Sequence, residues 1–182
     1  GDTLLIFNSL KLNEQIARLQ ARIEENIVFI ADINSILKDS GYVQTQKYLQ
    51  EAKYQKTIID ELTKNVAYLK TELRATENLY KKSITPKQEF LQVKNTYESG
   101  LQKLSAQKTQ FRTNLETEKI RLELENNELV SQIAQLEDEK RNFIITAPIS
   151  GSIVQTSGIS VGSFVSPNQT IAYISNNDSL IV

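Results

Sequence analysis

The sequence contains no cysteine, histidine, tryptophan or methionine. Without cysteine and histidine it lacks the commonest metal ligands and most nucleophile–base pairs, so we expect neither a metal site nor an enzyme. The absence of cysteine also excludes a disulfide framework and leaves the redox compartment open. Aromatic residues make up only 7% of the 182 residues, whose hydrophobic fraction is 40%. This composition favours long helices joined along narrow apolar seams over a globule with a thick interior.

Neither sign of charge dominates, because 21 Lys and Arg residues face 22 Asp and Glu residues, for a net charge of −1. Nucleic-acid binding needs a basic face, so we do not expect a nucleic-acid partner. No apolar run approaches the ~18 residues of a membrane-spanning helix, and no signal peptide is visible. Because the chain begins inside a predicted strand at Gly1, we interpret it as a fragment whose membrane anchor, if any, lies upstream.

A helical period begins near Ser9. Apolar residues recur there at alternating steps of three and four, the heptad pattern of a helix that packs along one stripe. The stripe consists of Leu12, Ile16, Leu19, Ile23, Ile30, Ile33 and Leu37, with Asn26 at one position. The sequence Lys38-Asp39-Ser40-Gly41 then supplies a glycine C-cap, so we predict a helix break at residues 39–41.

A second helix is predicted from about Tyr42 to Lys82. Its heptad positions are Tyr48, Ala52, Gln55, Ile59, Leu62, Val66, Leu69, Leu73, Thr76 and Tyr80. Residues 83–86 then form a predicted turn, since Pro86 cannot continue a helix but suits the first position of a new one. Thr85 as N-cap and Gln88 at the third helical position would form a capping box, which stabilises a helix start by roughly 1 kcal/mol.

The third predicted helix runs from Pro86 to Phe143. One heptad row contains Leu101, Lys108, Leu115, Leu122, Leu129, Leu136 and Phe143. The other row starts apolar and becomes polar: Phe90, Tyr97, Leu104, Phe111, Glu118, Glu125, Gln132 and Glu139. We expect packing on both rows near the turn and mainly on the first row further along. Gly100 is a predicted weak point, because glycine costs about 1 kcal/mol relative to alanine inside a helix.

Helix lengths restrict the layout. At 1.5 Å per residue the third helix would be about 85 Å long and the second about 60 Å. A four-residue turn forces these two to be antiparallel. The first helix, about 43 Å long, would fill the difference and overlap the second near Gly41.

The two ends of the chain read as β structure. Residues 1–7 form a predicted strand, and further strands are predicted at Gly151–Thr156, Thr170–Ser175 and Leu180–Val182, with turns at Pro148, Gly158, Gly162 and Pro167-Asn168. We expect Leu4-Leu5 to lie close to Ile153-Val154. The predicted fold is mainly α with small β: a long antiparallel coiled-coil hairpin of three helices (9–143) inserted between two parts of a β domain (1–8 and 144–182).

Clusters of carboxylates occur within the third helix, but beside Lys and Arg. Glu123, Glu125 and Glu128, and the run from Glu137 to Glu139, are typical of a solvated face with pairs of opposite charge. The glycines lack the spacing of a phosphate-binding loop. We find no catalytic constellation and no cofactor-binding motif.

The ends of the chain resemble the HlyD family of membrane-fusion, or periplasmic adaptor, proteins. The resemblance rests on four stretches: GDTLLIF at residues 1–7, ITAPISGSIV at 145–154, IAYIS at 171–175 and DSLIV at 178–182. It also rests on Gly162 and Val165. It implies two lipoyl-like halves separated by a helical hairpin. It also implies a periplasmic subunit, anchored to the inner membrane and assembled in a ring, that links an inner-membrane transporter to a TolC-like outer-membrane channel in Gram-negative bacteria.

The resemblance places the channel contact at the turn between the second and third helices. Family members often carry Arg, then Leu four positions on, then Ser or Thr seven further. Arg74 and Thr85 match the outer members, whereas Asn78 holds the middle place and Leu79 follows it. The implied contact residues, here called the turn residues, are Arg74, Asn78, Leu79, Ile84 and Thr85. Arg74 is equally well explained as a solvated charge and Thr85 as a helix cap.

Several functions stay open. Three helices resemble the type I secretion branch, with an ATP-binding-cassette (ABC) transporter and protein or peptide cargo, whereas drug-efflux adaptors usually have two arms of similar length. A lipoyl or biotinyl carrier subunit needs a modifiable lysine, and none lies between Arg141 and Val182. A coiled-coil scaffold with an incidental β tail is the remaining alternative.

Overall fold

A computed structural model describes residues 1–39, 41–166 and 168–176. Its elements, in chain order, are β1 (Thr3–Ile6), α1 (Leu10–Leu37), α2 (Gln46–Lys81), α3 (Lys87–Arg141), β2 (Ile144–Thr146), β3 (Ser152–Thr156) and β4 (Ala172–Ser175). The predicted class, mainly α with small β and three helices, is confirmed. The chain divides into two compact units, Gly1–Arg18 with Gln132–Val182, and Leu19–Ser131, so the divisions fall inside α1 and α3.

The first unit joins the two ends of the helical segment. Strands β1 and β2 are antiparallel, with Leu5 opposite Ile145 and Ile6 opposite Ile144. The Phe7 N–H donates to the Phe143 carbonyl at 2.7 Å, and the two rings meet edge to face at 6.5 Å. Because β sheets pair strands without regard to sequence distance, residues about 140 positions apart are hydrogen-bonded here.

The opening strand pairs with a strand that the sequence did not predict. Residues 144–146 are the hydrogen-bonding partner of β1, whereas Leu4-Leu5 was expected only to lie close to Ile153-Val154. Leu4 and Ile153 nevertheless line one open cavity of about 650 Å³. The expected proximity is therefore present, although no ladder joins these residues.

Strands β3 and β4 form a second antiparallel pair, with Ile153 opposite Ile174 and Thr156 opposite Ala172. The strands predicted at 151–156 and 170–175 are confirmed to within two residues. Gly158 and Gly162, with φ of 71° and 90°, occupy the left-handed region that glycine tolerates, as expected of turns. The strand predicted at Leu180–Val182 and the turn residue Pro167 lie outside the described residues.

In the second unit, α1 and α2 both run antiparallel to α3. Arg22 of α1 bonds to Glu125, Lys47 of α2 reaches Glu118, and Gln55 accepts a hydrogen bond from Gln107 at 3.0 Å. The residue numbers thus rise from 22 to 55 along α1 and α2, while those of their partners on α3 fall from 125 to 107. The buried core consists of Ile33, Tyr48, Leu115 and Leu122, which come from all three helices and from predicted heptad positions.

The α1–α2 junction is held by a buried carboxylate. The Asp32 side chain accepts hydrogen bonds from the Gln44 and Thr45 N–H groups, both at 2.7 Å, and from the Thr45 hydroxyl. Asp32 therefore satisfies the N–H groups of the two residues directly ahead of α2, whose N-cap residue Thr45 makes no side-chain cap bond of its own. The predicted break between the first two helices is confirmed, although Ser40 lies outside the described residues. Helix α2 begins at Gln46 instead of Tyr42, directly after Gln44 and Thr45, which are bound to Asp32.

Near the turn, α3 does not pack against α2 through Leu101 and Lys108 of the first predicted heptad row. Leu101 is 41% exposed and Lys108 is also exposed, whereas Gly100 and Gln107 face α2. A Cβ on Gly100 would lie 2.9 Å from Leu69 Cδ1, so glycine permits a close approach of the two helices. Gly100 therefore has a packing role that the sequence did not predict, because Leu69 of α2 lies next to the space that its missing side chain leaves.

The polar row of α3 is not a solvated face throughout. Glu125 is half-buried and accepts hydrogen bonds from Arg22 at 2.9 Å and Arg121 at 3.2 Å. Glu118 binds Arg121 and Lys47, and its pKa is lowered to about 2, chiefly by the Arg121 hydrogen bond. The expected i,i+4 pair joins Arg121 to Glu125, but Glu125 also pairs with Arg22 of α1 and is half-buried rather than solvated.

Candidate functional site

The chain reverses between α2 and α3 through a Schellman motif. The Ile84 N–H donates to the Leu79 carbonyl at 3.0 Å, and the Ser83 N–H donates to the Tyr80 carbonyl at 2.8 Å. Ser83 has a φ of 61°, the left-handed conformation in which such motifs end a helix. These bonds satisfy carbonyls that the end of α2 would otherwise leave free.

An aromatic pair fixes the two helices directly beneath the turn. The Tyr80 and Phe90 rings are parallel to within 4°, with centroids 5.0 Å apart. Stacked aromatic pairs contribute about 0.5–1.5 kcal/mol beyond the area that they bury. Both residues occupy predicted heptad positions, so the pattern that packs the helices also determines where the reversal begins.

Two aliphatic side chains are exposed at the turn. Leu79 is 42% exposed and Ile84 is 65% exposed. Their backbones are joined by the bond from the Ile84 N–H to the Leu79 carbonyl, and these two positions of a Schellman motif frequently carry apolar side chains in contact. Exposed neighbouring aliphatic residues at a rigid turn are a surface suited to contact with another protein.

The other turn residues are placed differently. Arg74 and Asn78 are exposed on α2, four residues apart and thus on one face of the helix. Thr85 is half-buried beyond the end of α2. Thr85 does not share the helical face of Arg74 and Asn78, because α2 ends at Lys81 and Ser83 takes the left-handed conformation.

The predicted capping box is displaced. Helix α3 begins at Lys87, and its first bond runs from the Phe90 N–H to the Pro86 carbonyl at 3.2 Å. Pro86 therefore holds the N-cap position that we assigned to Thr85, and Gln88 lies one place earlier than the box requires. Among the described residues, no side-chain hydrogen bond is made by Thr85 or Gln88.

The turn carries an excess of positive charge. Residues 74–90 contain four basic and two acidic side chains. Lys81 pairs with Glu77 at 2.8 Å, and this hydrogen bond lowers the Glu77 pKa. The surface around Leu79 and Ile84 is therefore apolar with a basic border.

The described residues contain neither a cluster of metal-ligating side chains nor a membrane-spanning helix. No group of three or more metal-ligating side chains of the His, Cys, Asp and Glu type lies together there. None of the described helices is both long and apolar enough to span a membrane.

Comparison with known proteins gave no relatives. No protein-family model, curated protein or solved structure matches the chain.

Proposed function

We propose that this chain is part of a periplasmic adaptor that links an inner-membrane transporter to a TolC-like outer-membrane channel. The observation that carries the proposal is the pairing of β1 with β2. Because of this pairing, the chain leaves a small β body through α1 and returns to it through α3. A helical excursion that starts and ends on adjacent strands is what a hairpin inserted in a split lipoyl-like domain requires.

In this proposal α2 and α3 form the coiled-coil hairpin and their turn contacts the channel. Leu79 and Ile84 supply the apolar centre of the contact, and Arg74 and Asn78 supply polar contacts on the flank of α2. The exposure of both aliphatic side chains supports this role, since it leaves them accessible to a partner. We further propose that several copies form a ring.

The division of one side of the hairpin into two helices, α1 and α2, favours type I secretion over drug efflux. Helices α1 and α2 are separate, and the loop between them is held by Asp32. Three helices resemble the protein-secretion branch of the family. We therefore propose an ABC transporter as the inner-membrane partner and a protein or peptide as cargo, with no catalytic role for this chain.

The test is a substitution at the turn in the intact protein. The variant Leu79→Asp with Ile84→Asp places two charges in the proposed contact and is expected to abolish cargo export. The control, Tyr54→Asp with Tyr68→Asp, introduces the same charges at exposed aromatic residues of α2 away from the turn. Export and circular dichroism of both variants are measured. Normal export by the turn variant would refute the proposed contact.

The transporter type has a separate test. Affinity purification of the intact protein from its Gram-negative host is expected to recover an ABC transporter. Recovery of a proton-driven efflux pump instead would contradict the secretion assignment while leaving the adaptor role standing.

A further inference from the structure

A cavity of about 500 Å³ opens where α1 ends beside α2. Its apolar wall is formed by Ile36, Val43, Leu49, Ala52, Ile59 and Phe111. Tyr48 and Leu115, which α1 helps to cover, are buried, whereas Ile59 and Phe111 are only half-buried. The cavity therefore arises because α1 stops at Leu37 and leaves the α2–α3 pair without a third helix beyond that level.

The rim of the cavity is charged. Lys53 and Lys56 stand on α2, three residues apart and hence on one side of the helix. The lysines that form ion pairs within the described part of the chain are Lys47, Lys81, Lys94, Lys119 and Lys140, so neither rim lysine has an acidic partner there. Asp39 lies on the loop side of the rim. The charged residues of the cavity lining are thus two lysines on α2 and one aspartate, which gives the lining a net positive charge.

We propose that this cavity binds an amphipathic anion, with a carboxylate head group on a linear hydrocarbon chain. The apolar wall takes the chain, and Lys53 and Lys56 take the head group. Asp39 and the negative end of the α1 dipole repel a head group near the loop, so they orient it toward α2. The volume lies within the ~300–1,000 Å³ that is typical of small-molecule sites. The site is independent of the adaptor role.

The lysines suit this ligand for a physical reason. Their ammonium groups sit on flexible stems and act as compact point charges, so they follow a head group that is not held rigidly. Each exposed charge contact adds little affinity, and the chain supplies most of it. We therefore expect affinity to depend strongly on chain length and moderately on the lysines.

The experiment is calorimetric titration of the 182-residue chain with hexanoate, octanoate and decanoate, each below its micelle concentration. The dissociation constant is expected to fall about fourfold per added methylene. Lys53→Gln with Lys56→Gln is expected to weaken decanoate binding by about two- to thirtyfold. Lys64→Gln with Lys70→Gln removes the same charge from exposed positions outside the cavity lining and is expected to leave binding unchanged.

Head-group and cavity controls complete the test. Decanol and decyltrimethylammonium share the chain but lack the negative charge, and both are expected to bind more weakly than decanoate. Ala52→Leu adds three carbon atoms to the apolar wall and is expected to weaken decanoate binding by occupying part of the cavity; if this variant does not fold, the two lysine variants decide. Lack of saturable decanoate binding, equal binding of decyltrimethylammonium, or equal effects of the two lysine pairs would each overturn the proposal.

Discussion

Replacement of Asp32 by alanine tests how the α1–α2 junction is held. Asp32 is 1% exposed and accepts three hydrogen bonds, from the Gln44 and Thr45 N–H groups and the Thr45 hydroxyl. Loss of a cap costs about 1 kcal/mol, and a buried donor left without a partner costs about 1–3 kcal/mol. Gln44 is exposed and its N–H regains water on replacement. We therefore expect Asp32→Ala to lower the free energy of unfolding by about 2–3 kcal/mol.

For a chain of this size the loss corresponds to a fall in Tm of about 4–12 °C. Urea and thermal unfolding followed by circular dichroism measure it, and amide exchange at Gln44 and Thr45 is expected to accelerate. Asp60→Ala is the control, since Asp60 is an exposed carboxylate on α2 whose replacement is expected to change stability by less than about 0.5 kcal/mol. Equal effects of the two substitutions would refute the assignment of Asp32 as the cap of α2.

The pH dependence of this effect follows from the Asp32 pKa. Burial alone raises that pKa, but the hydrogen bonds from Thr45 and Gln44 outweigh it, so the pKa lies below its usual 3.8. A carboxylate with a lowered pKa stabilises the fold fully above its unfolded-state pKa, and the contribution is lost as the pH falls through the folded-state pKa. The stability difference between the parent chain and Asp32→Ala is therefore expected to stay constant from pH 7 to pH 5 and to shrink below about pH 4.

Three further predictions concern the α2–α3 pair. Gly100→Ile is expected to destabilise the chain by about 1–3 kcal/mol, because its side chain collides with Leu69. Gly100→Ala gains helix propensity and is expected to change stability by less than about 1 kcal/mol. Urea unfolding compares the two variants, and equal effects would contradict the close approach of the helices. Ser83→Gly is expected to raise Tm, because it relieves about 1 kcal/mol of left-handed strain; an unchanged Tm would contradict the turn geometry. The Glu118 pKa of about 2 predicts that the stability difference between the parent chain and Glu118→Gln is constant above about pH 5. The difference is expected to shrink as the pH falls below about 4.5 and to be lost as the pH falls through about 2. Unfolding at several pH values measures it, and a difference that stays constant from pH 5 to pH 3 would contradict the lowered pKa.

Regular patterns in the sequence predicted the regular parts of the fold. The heptads located all three helices, since side chains that recur every seven residues share one face whatever they pack against. Leu115, Leu122 and Tyr48 were predicted as core in this way and are buried. Local signals also placed the break near Gly41 and the reversal near Ser83.

Features that depend on which distant residues meet were not predictable. Asp32 caps a helix that starts 14 residues later, and no local pattern marks an aspartate for that task. The packing role of Gly100 was not predictable, because it depends on Leu69 of α2 lying opposite. The strand at 144–146 is only three residues long, and its partner is at the other end of the chain. Pro86 rather than Thr85 holds the cap position of α3, because the Pro86 carbonyl accepts the first bond of that helix.

Site-specific photo-cross-linking in living cells tests the proposed adaptor role most directly. A photoreactive residue at Ile84 of the intact protein is expected to yield an adduct with a TolC-like outer-membrane channel, identified by mass spectrometry. The same residue at Tyr68, which is exposed on α2 away from the turn, is expected to yield no channel adduct. Absence of a channel adduct at Ile84, or equal channel adducts at both positions, would contradict the account.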